Sequence, residues 1–336
     1  IIGVGDIMLG TSFPEGYLPP HDGRFVLTPV ERYLQNANLT FGNYEGTLFN
    51  GEGTLKQCKD TTKCYAFKTP EHYAAYLKNA GFDVMSVANN HSGDFGPEAR
   101  VSTIKTLQKV GVLSCGTVEQ PYTILKKNGI RYGLAAFAPN RGTQNINDYA
   151  TAKRIVSFLD SLCDIVIVSF HGGAEGASKQ HVPFQKEIFL GENRGDVYKF
   201  SRVVIDAGAD VVFGHGPHVT RAVHLYKGRF IIYSLGNFAT YGRFNLKGPA
   251  GIAPIMKVVV NKRGEFLKGE IIPTKQVGEG GPVFDSSGAV ITTIQQLTAT
   301  DFPMSRLRIT DHGTIVKRKA KQPAKKKQVW IKQALP

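Results

Sequence analysis

The chain has 336 residues, of which 42% are hydrophobic, and this is enough for a large buried core. Its formal net charge is +14, but eight of the 41 basic residues lie in residues 317–336, where there is no acidic residue. The rest of the chain carries 33 basic and 27 acidic groups, an excess of +6 that is ordinary for a soluble surface. No apolar run approaches the ~18 residues that a transmembrane helix needs.

Short β-branched segments alternate with helical patterns along the first two thirds of the chain. The predicted strands are IIGVG, NLTFGN, FDVMSVA, GVLSCG, DIVIVSF and ADVVFG. The helices between them are predicted at Pro29–Ala37, Pro70–Ala80, Pro97–Val110, Ala150–Leu162 and Val197–Ala207. This alternation indicates a layered α/β fold in which most strands of at least one sheet are parallel.

Hairpin patterns are interleaved with these units. The segment YTILKKNGIRYGLAAFA contains Asn128-Gly129, a two-residue turn signal, and two later segments repeat the strand–turn–strand pattern. We therefore expect a second, partly antiparallel sheet, and a sandwich of two sheets with helices on both outer faces. Residues 280–316 predict a short helix and one small hairpin that pack onto this body. The basic segment 317–336 is expected to be disordered.

The first residues and the cysteines indicate a cellular context. IIGVG has the pattern of a strand already in progress, so we expect a preceding segment such as a signal peptide or an anchor. Cys58 and Cys64 bracket the polar loop KDTTK, which favours a disulfide over free thiols or a metal site. Cys115 and Cys163 adjoin apolar segments and are expected to be buried thiols. A disulfide would imply an oxidising, extracytoplasmic compartment.

Five of these six predicted strands, all except GVLSCG, and the later hairpin strand FIIYSLG end in a side chain that can bind a metal or transfer a proton. These are Asp6, Glu45, Asn90 with His91, His171 with Glu175, His215 with His218, and Asn237. Functional sites of α/β sheets cluster beyond the carboxyl ends of the strands. The mixture of carboxylate, amide and imidazole suits Zn²⁺, Mn²⁺ or Fe, and it contains too much imidazole for a Ca²⁺ site. A carboxylate that bridges two ions about 3.5–4 Å apart is the geometry of two-metal phosphoester hydrolysis.

Each of these residues also has a structural interpretation. Asp6 could cap a turn, Glu45 could be a surface acid, and Asn90 with His91 could form a turn around a packed imidazole. A single histidine on an apolar strand is usually a core residue. The recurrence of such residues at five strand ends favours a metal site. Rival motifs are absent from the sequence, which has no Walker A segment, no dinucleotide-binding glycine spacing and no nucleophile elbow around Ser234.

The motifs GDIMLG, NYEG, ANNHSGDFG, SFHGGAE, DAGADVVFGHGPHV and YSLGNF strongly resemble those of the bacterial capsule-synthesis (CapA) family. That family is linked to poly-γ-glutamate capsules and looks like a branch of the calcineurin-like metallophosphoesterases. The likeness covers roughly residues 3–261 and extends more weakly to about residue 310. It implies a four-layer α-β-β-α sandwich over residues 1–316, with residues 280–316 as a C-terminal appendage.

The resemblance also implies a role for each matched residue. Asp6 is the first-motif carboxylate, Glu45 the bridge, Asn90 the amide ligand, His91 the acid/base at the leaving group, His171 and His215 the remaining ligands of one metal site, and His218 the candidate for the other. Glu175 is expected to orient a histidine. The sequence departs from the phosphoesterase pattern at Met8, where a histidine is usual, and in having Glu rather than Asp as the bridge. One or two divalent ions per chain are therefore expected.

Two functions from different classes fit these expectations. The first is a metal-dependent hydrolase of envelope or capsule polymer biosynthesis, in which a metal-activated water attacks and His91 acts on the leaving group. The alternative is a non-catalytic accessory protein of polymer assembly or export that keeps the fold. Expected partners are an anionic envelope polymer or a phosphoester substrate, and other capsule-synthesis membrane proteins. Nucleic acid is disfavoured, because the basic tail has one Trp and no interleaved aromatic residues.

Overall fold

The computed structural model describes residues 1–57 and 64–318. In these residues the strands are β1 Ile2–Met8, β2 Thr40–Tyr44, β3 Thr47–Leu48, β4 Lys68–Thr69, β5 Val84–Ser86, β6 Leu113–Cys115, β7 Tyr122–Lys127, β8 Ile130–Phe137, β9 Ile165–His171, β10 Ile188–Phe189, β11 Glu192–Asn193, β12 Val211–His215, β13 Val223–Tyr226, β14 Arg229–Ile232, β15 Asn237–Thr240, β16 Ile252–Val260, β17 Phe266–Gln276, β18 Pro282–Phe284, β19 Leu307–Ile309 and β20 Thr314–Lys317. The helices are α1 Glu31–Leu34, α2 Ala74–Ala80, α3 Gly96–Lys109, α4 Tyr149–Leu162, α5 Val197–Asp206 and α6 Ala289–Asp301.

Two large mixed sheets organise these elements. The larger has the order β19-β20-β17-β16-β1-β2-β5-β6, with β15 paired to β1 and β18 to β17. Strands β15, β1, β2, β5 and β6 run parallel. The smaller sheet has the order β13-β14-β12-β9-β8-β7, parallel in its centre and with an antiparallel hairpin at each edge. The mixed α/β architecture and the partly antiparallel second sheet predicted from the sequence are confirmed.

The two sheets pack face to face around a shared apolar core. Phe41 of the larger sheet and Phe213 of the smaller one stack with ring centroids 5.9 Å apart. Gly3 lets the sheets approach closely, because a Cβ atom there would lie 2.6 Å from the Phe213 ring. The outer face of the larger sheet packs on α1, α2 and α3, and that of the smaller sheet on α4 and α5. The central strands are therefore buried on both faces, as their continuous apolar sequences indicate.

The C-terminal part of the described chain closes this core at one end. Val290 and Ile294 of α6 lie in the same apolar cluster as residues of both sheets. Strands β19 and β20 form the small hairpin predicted within residues 280–316, and β20 adds it to the larger sheet through β17. Because α6 contacts the core between the sheets, a strict four-layer description leaves this helix out.

Helix boundaries differ from the sequence prediction mainly at the first helix. Only Glu31–Leu34 of the predicted Pro29–Ala37 is α-helical, after a 3₁₀ turn at Thr28–Val30. One turn suffices to bury Val30 and Leu34, and the sequence Asn-Ala-Asn that follows favours leaving the helix. The predicted Asn128-Gly129 hairpin is present, with left-handed φ angles of 52° and 81° that suit a type I′ turn.

Two sequence predictions lie partly or wholly outside the described residues. Cys58 and residues 319–336 belong to the undescribed segments, so the Cys58–Cys64 pairing and the disordered basic tail stay predictions. Cys115 is a buried free thiol, as expected, whereas Cys163 is free but only half-buried. Of the helices in residues 1–57 and 64–318, none combines the length and apolarity needed to cross a bilayer.

A stacked histidine predicts how stability depends on pH. His224 stacks on Phe302 with centroids 4.2 Å apart, and burial, aided by Arg202, lowers its pKa from 6.5 to about 4. The unfolded chain therefore binds more protons between these values, and stability is lost as pH falls from about 6.5 toward 4. The loss is at most about 3 kcal/mol, and less after screening of this half-buried ring. His224→Phe should flatten the dependence of Tm on pH in this window, whereas the exposed control His312→Phe should not.

Candidate metal centre

Five of the predicted ligands, Asp6, Glu45, His171, His215 and His218, lie close together where the carboxyl ends of the parallel strands of both sheets converge. Asp6 of β1 is in register with Asn43 of β2 on one side and with Asn237 of β15 on the other. In the smaller sheet, His171 at the end of β9 is in register with His215 at the end of β12. Register alone thus places these polar side chains in adjacent pairs, as expected for strand-end residues of α/β sheets.

Asp6 is the most heavily bonded carboxylate of the cluster. Asn43 Nδ2 donates to its Oδ1 at 2.9 Å, and His215 Nδ1 lies 3.3 Å from the same oxygen. Its Oδ2 lies 3.1 Å from Nδ1 of His218, which is also 3.0 Å from Oδ1 of Asn237. Complete burial would raise the pKa of Asp6, but the two imidazoles hold it well below its usual range.

Glu45 lies at the centre of the cluster and is fully buried. Its Oε1 is 3.5 Å from Nε2 of His218 and 3.9 Å from Nε2 of both His91 and His171. Neither carboxylate oxygen has a hydrogen-bond partner among the described residues. Burial raises the pKa of Glu45 well above its usual value, and the neighbouring His218 only partly opposes this.

Several of the other predicted ligands also have buried side-chain atoms without a hydrogen-bond partner among the described residues. Within residues 1–57 and 64–318, hydrogen bonds are lacking at His171 Nε2, at both ring nitrogens of His215 and at Oδ1 of Asn90, all of which are buried atoms. Burial lowers the pKa of His171 well below 6.5, which favours the neutral imidazole that binds metals. One ligand atom each from Asp6, Glu45 and His171 lies within 4.8 Å of the others. Unpaired buried polar atoms are costly, and a divalent cation would satisfy this set of oxygen and imidazole donors.

The two consecutive asparagines after β5, Asn89 and Asn90, have different hydrogen-bonding roles. Asn89 Nδ2 donates to the carbonyl of Tyr44 at 2.8 Å and to Oδ1 of Asn43 at 3.2 Å. Its own Oδ1 accepts from the backbone N–H of His91 at 3.0 Å. Asn89 therefore fixes the turn, and Asn90 keeps its amide oxygen unpartnered. The sequence analysis missed the supporting roles of Asn43 and Asn89, although the Asn-Asn pair was a visible signal.

His91 is held by a carboxylate and a lysine. Its Nδ1 lies 2.8 Å from Oδ2 of Asp94, which also accepts from the backbone N–H of Phe67 at 2.7 Å. Lys56 Nζ is 2.5 Å from the other Asp94 oxygen. Burial lowers the pKa of His91, and Asp94 opposes this shift. Since Asp94 occupies Nδ1, the Nε2 atom is left pointing toward Glu45. The sequence analysis did not find Lys56, which lies 38 residues before Asp94.

The remaining predicted residues come from the two loops that follow β9 and β12. Glu175 is partly exposed, with Oε2 4.0 Å from Nε2 of His218 and Oε1 accepting from Arg194 at 2.9 Å. His218 adopts a left-handed φ of 58° in the turn GHGPH. Gly216 in this turn has a φ of 113°, and a Cβ atom there would lie 2.7 Å from the backbone nitrogen of Gly172. The two loops therefore pack closely enough to bring His218 against Asp6.

A buried ion pair anchors the loop that carries Glu175. The Arg221 guanidinium donates two hydrogen bonds of 2.8 Å to the Glu187 carboxylate, and its Nε donates to the carbonyl of Lys179 at 2.8 Å. Glu187 also accepts from the backbone N–H of Ala174 at 2.9 Å. Arg221 is fully buried, so this pairing satisfies a charge that would otherwise be very costly.

Breaking this pair on one side should be strongly destabilising. Arg221→Met leaves the Glu187 carboxylate buried and unpaired, so the free energy of unfolding should fall by about 3–5 kcal/mol. The double variant Arg221→Met with Glu187→Leu should recover part of the loss in urea unfolding. Lys227→Met, which breaks an exposed pair with Asp206, serves as the control and should change stability little. A single variant as stable as the wild type would contradict the anchoring role.

Comparisons with solved structures find distant similarities. A 5'-nucleotidase precursor from Thermus thermophilus is 14% identical, with a TM-score of 0.44 over 81% of this chain and 52% of that one. A purple acid phosphatase from yellow lupin is 8% identical, with a TM-score of 0.41 over 84% of this chain and 53% of that one. At these TM-scores the similarities do not bear on function.

Comparisons with curated proteins and family models are more specific. The capsule biosynthesis protein CapA of Bacillus anthracis and the PGA biosynthesis protein CapA of Bacillus subtilis are each 28% identical over 70% of this chain. The match spans 58% and 61% of the length of these two relatives. The family model described as bacterial capsule synthesis protein PGA_cap matches residues 1–241. The chain belongs to the bacterial capsule synthesis protein PGA_cap family.

Proposed function

We propose that this chain is a metal-dependent hydrolase, of the phosphoesterase-like kind, that acts in the biosynthesis of a capsule or envelope polymer. The observation that carries the proposal is the fully buried Glu45 carboxylate, whose two oxygens have no hydrogen-bond partner in the described part of the chain. Three imidazole Nε2 atoms lie within 3.9 Å of one of these oxygens. A cluster of this kind is best explained as the protein half of a metal site.

The donor set indicates which residues would hold a metal. Glu45 and Asp6 supply carboxylates, His171, His215 and His218 supply imidazoles, and Asn90 supplies an amide oxygen. This mixture suits Zn²⁺, Mn²⁺ or Fe, with one or two ions per chain. A bound divalent ion would act as a Lewis acid on an ester oxygen and lower the pKa of a water molecule.

The other residues of the site supply positioning and proton transfer. His91 is the general acid/base, because Asp94 and Lys56 fix its ring and its Nε2 is the free nitrogen that faces Glu45. Asn43 orients Asp6, because its amide nitrogen donates to Oδ1 of that carboxylate. Glu175 lies beside His218 and Arg194 at the partly exposed edge of the cluster, where a substrate would enter.

The names of the relatives suggest the biological process in which this chain acts. The Bacillus proteins are named for capsule and PGA biosynthesis, and a Mycobacterium tuberculosis relative, 28% identical over 46% of this chain, is called a probable polyglutamine synthesis accessory protein. We infer that the substrate is an anionic envelope polymer or a phosphoester, and that partners include capsule-synthesis membrane proteins. An extracytoplasmic location belongs to the same proposal.

One observation favours the alternative of a non-catalytic accessory protein. Met8 stands where the resemblance implies a histidine ligand, and it is fully buried, with its sulfur 3.3 Å from the backbone nitrogen of Gly10. The fold thus uses this position for packing rather than for ligation. A site weakened in this way could hold an ion without turning over a substrate, so metal binding and hydrolysis need separate tests.

Metal binding is tested by elemental analysis of purified protein and variants. His171→Ala should abolish binding, because it removes one of the three donors that lie within 4.8 Å of one another. Met8→His should raise the number of ions per chain toward two. His312→Ala, at an exposed turn, is the control and should retain the wild-type metal content. Wild-type protein that keeps two ions through dialysis against a chelator would disprove the expected weakness at Met8.

Catalysis is tested by turnover of a phosphodiester such as bis(4-nitrophenyl) phosphate with and without added metal. His91→Ala should lower kcat by roughly 10²–10⁴-fold while metal content is retained, because it removes proton transfer to the leaving group. Asp94→Asn should have a smaller effect, since it weakens the orientation of the ring only. Metal-loaded wild-type protein with no hydrolysis of phosphomonoesters, phosphodiesters or γ-glutamyl amides would favour the accessory function.

A further inference from the structure

Arg194 is a buried arginine beside the proposed metal ligands. It is 4% exposed, its Nη2 donates to Glu175 Oε1 at 2.9 Å, and its Nε lies 3.0 Å from a carboxylate oxygen of Glu192. The Nη1 atom is buried and has no hydrogen-bond partner among the described residues. An arginine rarely keeps a buried nitrogen unused, because leaving a charged donor unsatisfied in the interior is costly.

Contacts through Glu175 place this guanidinium one residue away from the metal cluster. The second oxygen of Glu175 is 4.0 Å from Nε2 of His218, which is itself 3.5 Å from Oε1 of Glu45. The positive charge of Arg194 therefore lies next to a residue that contacts the proposed metal ligands.

The backbone around Arg194 holds the side chain in place. Its N–H donates to the carbonyl of Glu187 at 2.9 Å, and its carbonyl accepts from the N–H of Gly173 at 2.9 Å. Glu187 is fixed in turn by the buried Arg221 guanidinium. Arg194 is thus tied to the same anchored loop as Glu175, and its guanidinium is ordered before any ligand arrives. A preorganised donor of this kind loses little entropy on binding.

We propose that Nη1 of Arg194 binds an oxyanion of the substrate, a phosphate or a carboxylate, next to the metal centre. The inference rests on the proposed function, since it names the group that the same site recognises. A guanidinium matches the geometry of both oxyanions and stays charged at every physiological pH. Lys56 pairs with Asp94 beside His91, whereas Arg194 pairs with Glu175 beside His218.

A purely structural role for Arg194 is the competing interpretation. In that case the arginine would serve only to hold Glu175, and Nη1 would contribute nothing to ligand affinity. The two roles differ in a binding measurement that does not depend on turnover. The probes are inorganic phosphate and glutarate, titrated calorimetrically into metal-loaded protein, with the metal content of each sample measured in parallel.

Arg194→Gln should weaken binding of the preferred probe about 10- to 100-fold, the effect expected for loss of a hydrogen bond to a charged group. Arg194→Lys keeps the charge but not the planar fork, so its affinity should fall between the two. Arg263→Gln, which alters an exposed arginine, is the matched control and should bind as the wild type does. Preference for phosphate would identify a phosphoester substrate, and preference for glutarate a carboxylate polymer.

Two results would overturn the inference. One is unchanged probe affinity in folded, metal-loaded Arg194→Gln, and the other is metal-loaded wild-type protein that binds neither probe. Melting curves identify a variant that has failed to fold, and Arg194→Lys then carries the comparison. Wild-type protein that binds no metal but still binds phosphate through Arg194 would refute the metal-dependent function and leave the oxyanion site standing.

Discussion

A buried carboxylate without a hydrogen bond is the constraint around which this site is arranged. Moving an ionised carboxylate out of water costs several kcal/mol unless charges and donors nearby compensate it. Glu45 is fully buried, and its oxygens face imidazole nitrogens at 3.5–3.9 Å instead of making short hydrogen bonds. Neighbouring Asp6, by contrast, is bonded to Asn43 and His218. Asp6 is therefore the more firmly oriented of the two proposed carboxylate ligands, whereas neither Glu45 oxygen has a hydrogen bond to a described residue that would compete with a metal.

The strand-end residues could be predicted from the sequence because topology alone brings them together. Parallel strands end at one edge of a sheet, so His171 and His215 were expected to lie side by side, and a sandwich of two sheets brings Asp6 of the other sheet close to them. The fold class followed from the same alternation of strands and helices. In the structure, the strand register places Asp6 beside Asn43 and His171 beside His215. The glycine-rich turns have a secondary role, because they let the backbone turn sharply at the end of each strand and so direct the last side chains into the site.

The supporting contacts could not be predicted, because they join residues far apart in the chain that have no pattern in common. Lys56 and Asp94 meet across 38 positions, and Arg221 and Glu187 across 34. Each of these residues is of a charged type that usually lies at the protein surface. Nothing in the periodicity separates Arg194, buried with an unused nitrogen, from the many exposed arginines. Packing decides which charge is buried, and packing is a property of the folded chain.

Metal binding and catalysis make different demands on these residues, and the chain meets them to different degrees. The unpartnered atoms of Glu45, His171 and His215 favour a bound cation whether or not a reaction follows. Without a cation, the folded state carries the free-energy cost of removing these atoms from water with no replacement for their hydrogen bonds. Catalysis also needs a proton donor at the leaving group and a fixed grip on the substrate. The ring of His91, clamped through Asp94, has no evident use in a protein that only binds metal. The fixed orientation of the His91 ring, more than the metal ligands themselves, is the feature that favours a hydrolase over an accessory protein.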